Sequence, residues 1–299
     1  MTDSVPVEAR DAATIMLVRD AEESRTLEVC MVRRHLDSGF VGGAYVFPGG
    51  KVDDEDLGPA AAQVCTGRTD AQASEILGLA SGGLGFWVAA LRECFEEAGV
   101  LLAYRGGGER HRPGEEASSP KDQEAPSPIG EELVDVADPA VRKRLEVMRI
   151  RLNAGEVEFP GACRAEGLSL AVDRVHYFSH WITPEPAPRR FDTRFFVAAL
   201  PPDQVPVHDD HETVDTVWLR PTEALERARA GELDVMFPTI KNLQAIGRFD
   251  TSFELLSAAA AIERVPTVLP RVVADDRGFR ILLPGDEGYE EATGERRLS

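Results

Sequence analysis

Apolar positions recur along this chain with two different periods, and the switches between them divide it into elements. Residues 12–18 and 27–33 are apolar-rich runs joined by a charged turn at 20–24, which predicts two paired strands. A briefer run at 44–47 is bracketed by glycines and closed by Pro48-Gly49-Gly50, which predicts a short strand and a tight turn. An acidic patch at 53–56 follows, then an alanine-rich stretch at 59–80 that predicts partial helix. Residues 86–104 (FWVAALRECFEEAGVLLAY) repeat apolar side chains every three or four positions, which predicts one continuous helix. Residues 105–131 are rich in Gly, Pro, Ser and Glu and predict a flexible segment. A helix is expected over 138–154, with Asp138 as its cap and Pro139 in its first turn. Strands over 174–183, 190–199 and 213–219 precede helices over 221–230, 238–248 and 251–263. Two last apolar runs, 265–273 and 279–283, suit a hairpin. Strands and helices thus interleave with hairpin-like connections, which predicts an α+β fold with a mixed sheet and helices on its faces.

Composition narrows the function. At 299 residues the chain suits one large domain or two modest ones, and 43% hydrophobic content allows a sizeable core. A net charge of −19 argues against a nucleic-acid binder, because phosphate backbones are held by basic stripes. A small phosphorylated substrate is compatible, provided a metal ion or a few arginines cancel the repulsion locally. No apolar run is long enough to span a membrane, and the N-terminal residues lack the layout of a signal peptide. Cys30, Cys65, Cys94 and Cys163 are scattered without zinc-ligand spacing, so they read as buried small hydrophobes in a reducing, cytoplasmic setting. The end, Arg297-Leu298-Ser299, does not match a peroxisomal S-K-L signal.

The acidic residues of the 86–104 helix carry the chemistry. With Glu93 at zero on a helical wheel, Glu97 falls near +40° and Glu96 near −60°, so three carboxylates share an arc of about 100°. Val88, Leu91, Phe95, Ala98 and Leu102 fall on the opposite side. A solvated acidic face is one reading. However, like charges at these spacings weaken a helix unless something offsets them, and carboxylate oxygens are what a hard divalent cation accepts. Ala89 and Val100, in or beside the acidic arc, fit a crowded pocket better than open surface.

The order of residues, Arg92-Glu93-Cys94-Phe95-Glu96-Glu97-Ala98-Gly99-Val100 after an upstream Phe47-Pro48-Gly49-Gly50, resembles the two halves of the Nudix box. The chain is similar to Nudix hydrolases, with two departures. Asp56 stands where the box has a glutamate, and residues 57–91 replace a seven-residue spacer. An insertion there, together with RRFDTRFF at 189–196, is similar to the coenzyme A diphosphatase-like branch. Aligned on Phe47-Pro48-Gly49-Gly50, the signature of CoA-cleaving members finds its first arginine at Arg34, but His35, Gly39 and Tyr45 depart from it.

The resemblance implies an α/β/α sandwich over residues 1–262, with 263–299 as a C-terminal extension; the 57–85 insertion, lying between the two motif halves, is expected to form a helical cap beside the site. It implies that Glu93, Glu96 and Glu97 ligate one to three Mg²⁺ or Mn²⁺ ions, and that Arg92 holds a carboxylate by a bidentate contact. Glu93 is the first candidate for activating water, with a base from a later loop as the alternative. Gly49 and Gly50 let backbone approach metal or phosphate, and Gly99 lets the helix pack against that loop. The implied reaction is hydrolysis of a nucleoside diphosphate linked to another group, with CoA or acyl-CoA favoured over ADP-ribose or NADH. A non-catalytic nucleotide-binding regulator on the same fold is the competing reading, and pairing into homodimers is common in the family.

Three further clusters carry candidate chemistry. Arg190, Asp192 and Arg194 alternate onto one strand face, as phosphate contacts or as a salt-bridge lattice. His176, His180 and Trp181 suit core packing or adenine stacking. In His208-Asp209-Asp210-His211-Glu212, Glu212 could supply a fourth carboxylate; otherwise the run is a solvated turn.

Overall fold

The computed structural model describes residues 7–36, 42–105, 132–185, 187–275 and 278–292. In chain order the strands are β1 (Arg10–Asp20), β2 (Leu27–Arg34), β3 (Tyr45–Val46), β4 (Gly49–Lys51), β5 (Cys65–Thr66), β6 (Ala103–Arg105), β7 (Leu168–Ala171), β8 (His176–Ile182), β9 (Phe191–Ala199), β10 (Thr213–Leu219), β11 (Thr267–Val268), β12 (Arg271–Asp275) and β13 (Gly278–Leu282). The helices are α1 (Asp54–Leu57), α2 (Pro59–Gln63), α3 (Asp70–Leu77), α4 (Gly83–Ala98), α5 (Pro139–Asn153), α6 (Phe159–Ala165), α7 (Pro221–Arg229), α8 (Phe237–Ile246) and α9 (Ser252–Ala260).

The main sheet runs β10-β2-β1-β9-β8-β11, with β3 paired to β2 and β4 to β1. It is mixed: β1–β9 and β8–β11 are parallel, and the other pairings are antiparallel. Both faces of the central strand are covered. Ala13, Ile15 and Leu17 of β1 join the apolar cluster built on α4, while Met16 and Val18 join the cluster built on α7, α8 and α9. The result is the α/β/α sandwich that the alternation and the family resemblance predict.

Several boundaries differ from the sequence reading. The long helix stops at Ala98, because Gly99 adopts a left-handed cap (φ 69°) and the chain leaves as an extended segment toward β6. Val100 to Tyr104 are all buried, so Leu102 is core but not helical, and periodicity alone cannot separate a buried strand from a buried helix. Gly99 therefore ends the helix, and the space above it is filled by Arg149 and Val207 rather than by the Pro-Gly-Gly segment. That segment is not a simple turn: Gly49–Lys51 pair with Ala12 to Thr14 as β4. The run at 265–273 is divided, with β11 joining the main sheet beside β8 and only β12 and β13 forming the hairpin. The elements α6 and β7 add to those that the sequence pattern predicts. Residues 106–131 and 293–299, including the predicted flexible segment and the C-terminal tripeptide, lie outside the described residues.

The insertion packs its helices against α4, beside the site. Its α3 meets the N-terminus of α4: Asp70 accepts hydrogen bonds from the backbone of Gly82 and Leu84 at 3.0 Å each, and Ser74 accepts from Gly83 at 2.9 Å. These satisfy amides that an α-helix leaves unpaired at its start, and place a carboxylate at its positive end. Gly83 is required by the contact, since a Cβ there would lie 2.4 Å from the backbone of Ser74. Asp70→Ala should lower stability by about 1–2 kcal/mol, the range for losing a helix cap. Chemical denaturation of the variant measures it, and an unchanged midpoint would contradict the role.

Candidate active site

Helix α4 presents the acidic arc to β4. Glu97 accepts a hydrogen bond from the backbone amide of Gly49 at 2.9 Å. A Cβ on Gly50 would lie 2.2 Å from a carboxylate oxygen of Glu93, so only glycine lets strand and acid approach this closely. The two halves of the motif, distant in sequence, therefore form one surface.

Arg92 is the centre of an ion-pair network. Its Nε and Nη2 donate to the two oxygens of Asp56 at 3.0 and 2.9 Å, while Nη1 reaches Glu93 at 2.9 Å and Glu96 at 3.1 Å. Nη2 also donates to the carbonyl of Lys51 at 2.9 Å. The bidentate contact expected of Arg92 is thus made with Asp56, the residue that departs from the box. Asp56 in turn caps its own short helix, accepting from the amide of Asp53 at 2.9 Å. A shorter acid and a long insertion still tie the acidic loop to α4.

The C-terminal end of α4 is held as firmly as its start. Arg149 of α5 donates to the carbonyl of Glu96 at 3.0 Å, Thr213 donates to that of Glu97 at 3.2 Å, and the amide of Val207 to that of Ala98 at 2.9 Å. These bonds draw the 207–213 loop over the site. Asp209 accepts from the amides of Glu212 and Thr213, which makes a tight local turn. Burial would raise its pKa, yet these hydrogen bonds hold its carboxyl below the usual range. Asp209, His211 and Glu212 line the same cavity as Glu93, Glu96 and Glu97.

Electrostatics sets the central acids apart. Burial pushes the Glu97 carboxyl well above its ordinary value and neighbouring Glu93 pushes it further, against the Gly49 amide and Arg34. Glu93 is also raised, by burial first and by Glu96 and Glu212, with Arg92 opposing. Two buried acids one helical turn apart are a site short of positive charge. Among the described residues, no three His, Cys, Asp or Glu side chains already converge closely enough to hold an ion. Arg92 lies between Glu93 and Glu96 and engages an oxygen of each. The donor set nevertheless suits a hard divalent cation: carboxylate oxygens, mutually repelling, on the wall of a cavity of about 720 Å³.

The cavity floor is the sheet face carrying Ala12, Thr14, Thr193 and Phe195. Arg194, on the opposite face, pairs with Asp192 at 2.7 Å and Asp11 at 3.3 Å and stacks over Phe86. Arg190 donates to the carbonyls of Thr183 and Val7. The structure brings neither arginine to the cavity; the lattice reading describes Arg194. His180 bonds Asp192 and Thr267, and Trp181 packs edge-on against Phe237, so neither lines the cavity. His176 is also absent from its wall, and burial lowers its pKa. Arg189, Phe191 and Asp209 do line it. Strand alternation puts Phe191 on the face opposite Arg194, but only the packing shows which of the two faces meets the cavity. No signal in the sequence marks Arg149 or Asp70 as the partners of α4.

The chain matches the model of the NUDT19 Nudix domain over residues 68–246. It is 30% identical over 330 aligned residues to an acyl-coenzyme A diphosphatase NUDT19 of Gallus gallus, covering 97% of this chain and 83% of the relative. The protein of that name from Homo sapiens is 30% identical, with 87% of this chain and 72% of the relative covered. Among solved structures, a NUDIX hydrolase from Alicyclobacillus acidocaldarius superposes with a TM-score of 0.57 at 25% identity, covering 84% of this chain and 96% of that one.

Proposed function

The chain belongs to the Nudix hydrolase family, in its NUDT19-like branch, and we propose that it hydrolyses the diphosphate of coenzyme A and acyl-coenzyme A. The observation that carries this reading is the pair of buried acids, Glu93 and Glu97, set against Gly49 and Gly50 in a cavity large enough for a nucleotide. Water adds to one phosphorus, the bond from that phosphorus to the bridging oxygen breaks, and the bridging oxygen leaves on the other phosphate. From CoA the products are adenosine 3′,5′-bisphosphate and 4′-phosphopantetheine.

Glu93 and Glu97, with Glu96 and Glu212, would hold Mg²⁺ or Mn²⁺. Such an ion neutralises the diphosphate and acidifies a water, worth several kcal/mol of barrier. The chain's own residues do the rest. Gly50 leaves room for the Glu93 carboxylate against the strand, and the Gly49 amide orients Glu97, so both glycines serve the acids. Arg92, anchored by Asp56, holds Glu93 and Glu96 directly through Nη1 and is a positioning residue. Glu93, which lines the cavity with its carboxylate against Gly50, is the candidate to orient the water and accept its proton.

A substrate panel tests the reading. CoA, an acyl-CoA, NADH and ADP-ribose are each supplied with Mg²⁺ or Mn²⁺, and products are followed by mass. CoA or acyl-CoA should be cleaved at least about tenfold faster than the others, a margin of about 1.4 kcal/mol. CoA turned over no faster than ADP-ribose would contradict the assignment. Chelation with EDTA should abolish turnover and readdition of Mg²⁺ restore it.

A further inference from the structure

Helix α8 opens onto the cavity with its first turn: Met236 at its cap, then Pro238 and Thr239, line the wall. The segment before it is tied to the motif. Val235 pairs in parallel with Tyr45 of β3, and the Tyr45 amide donates to the carbonyl of Asp234 at 2.8 Å. Both chains run on in the same direction, so α8 begins alongside the residues that lead into Gly49 and Gly50. Its first turn is fixed by the core. Phe237 packs edge-on against Trp181, and Asn242 donates to the Pro238 carbonyl at 3.0 Å while accepting from Ser179 at 2.6 Å.

The donors of this turn are not used by the chain. No side chain caps the ten-residue helix, and Pro238 has no N–H. Among the described residues, the amides of Phe237 and Thr239 donate to no other group. Thr239 is only 5% exposed and lines the cavity, and its hydroxyl likewise has no hydrogen-bond partner among the described residues. A buried hydroxyl without a partner is unfavourable, so a group that enters the cavity gains by meeting it.

The chemistry of that group follows from the donors. A helix start offers N–H groups and the positive end of the dipole, which favour an anion, and a threonine hydroxyl can donate to its oxygen. Glu93, Glu96, Glu97, Asp209 and Glu212 line other parts of the cavity and repel an anion, whereas α8 brings no carboxylate to the wall. We infer that the first turn of α8, through the Thr239 hydroxyl and the amides beside it, binds a phosphate group of the substrate. The inference rests on the proposed CoA reading for its ligands, but its test requires no turnover.

Calorimetric titration of the full chain in Mg²⁺ buffer compares adenosine 3′,5′-bisphosphate and 4′-phosphopantetheine with their uncharged counterparts, adenosine and pantetheine. Thr239→Val keeps the shape of the side chain and removes the hydroxyl. It should weaken at least one phosphate ligand by about tenfold or more, the scale of one hydrogen bond to a charged group, and change the uncharged pair by less than about twofold. The ligand that weakens names the half of the substrate held at α8. Thr239→Ser should retain most of the affinity. The valine variant should also melt no lower than the wild type without ligand, because the hydroxyl it loses has no partner in the chain. Phosphate affinities unchanged in Thr239→Val, equal weakening of the uncharged compounds, a lowered melting temperature, or a wild type that binds neither phosphate ligand would overturn the inference. Failure of the wild type to cleave CoA, with a phosphate ligand still weakened in Thr239→Val, would instead overturn the proposed substrate and support the phosphate site.

Discussion

Glu97→Gln should reduce CoA turnover by at least about 10³-fold, near 4 kcal/mol of barrier at about 1.4 kcal/mol per decade. Glutamine keeps the size of the side chain and an oxygen to accept from Gly49, so the surface between α4 and β4 stays assembled. What it removes is one of two buried negative charges. Without metal those charges repel each other, so the variant should unfold at a temperature no lower than the wild type. Collapse of activity with undiminished stability separates a chemical role from a structural one. Near-normal turnover would refute the assignment of Glu97, and a large fall in melting temperature would make the residue a packing element.

Arg92→Met should do the reverse and damage the fold. Arg92 and Asp56 are almost wholly buried, and Arg92 also holds Glu93 and Glu96. Removing one partner of a buried pair strands the other, at a cost of about 3–5 kcal/mol. The pH dependence gives a second readout. Asp56 already sits above its ordinary value, because burial outweighs the Arg92 contact, and losing Arg92 raises it further. The folded variant then binds the Asp56 proton more tightly than the unfolded chain does. Its stability therefore falls as pH rises from the ordinary carboxylate value of 3.8 through the raised one. The deficit against wild type, measured by urea denaturation, should be larger at pH 7 than at pH 5. A deficit that is the same at both, or absent, would show that Asp56 does not depend on Arg92 for its charge.

The contrast between these residues also explains what could be read without coordinates. Glu93, Glu96 and Glu97 are legible because a helix converts three- and four-residue spacing directly into a shared face. Strands β1, β2 and β10 are legible because apolar runs and turn residues are local signals. The partners of α4 are not. Asp70 and Ser74 lie in an insertion with no pattern of its own, and Arg149 belongs to a helix whose approach is decided by the whole core. The end of α4 shows the same limit, since Val100 to Tyr104 continue the apolar content of the helix and only Gly99 breaks it. On β9, alternation correctly grouped Asp192 with Arg194 but could not say which face of the strand meets the cavity. Tertiary packing decided that, and it buried the arginine while turning Phe191 toward the cavity. Asp56 is the instructive departure: a side chain shorter than the family's usual one still reaches Arg92, because its own helix cap aims it there.

The central claim is that Glu93 and Glu97 hold divalent metal against the Pro-Gly-Gly strand. Titration of the metal-free protein with Mn²⁺, followed by electron paramagnetic resonance, addresses it without any substrate. The wild type should sequester Mn²⁺, and the Glu93→Gln/Glu97→Gln double variant should leave it free at the same concentrations. Equal sequestration by both proteins would contradict the claim.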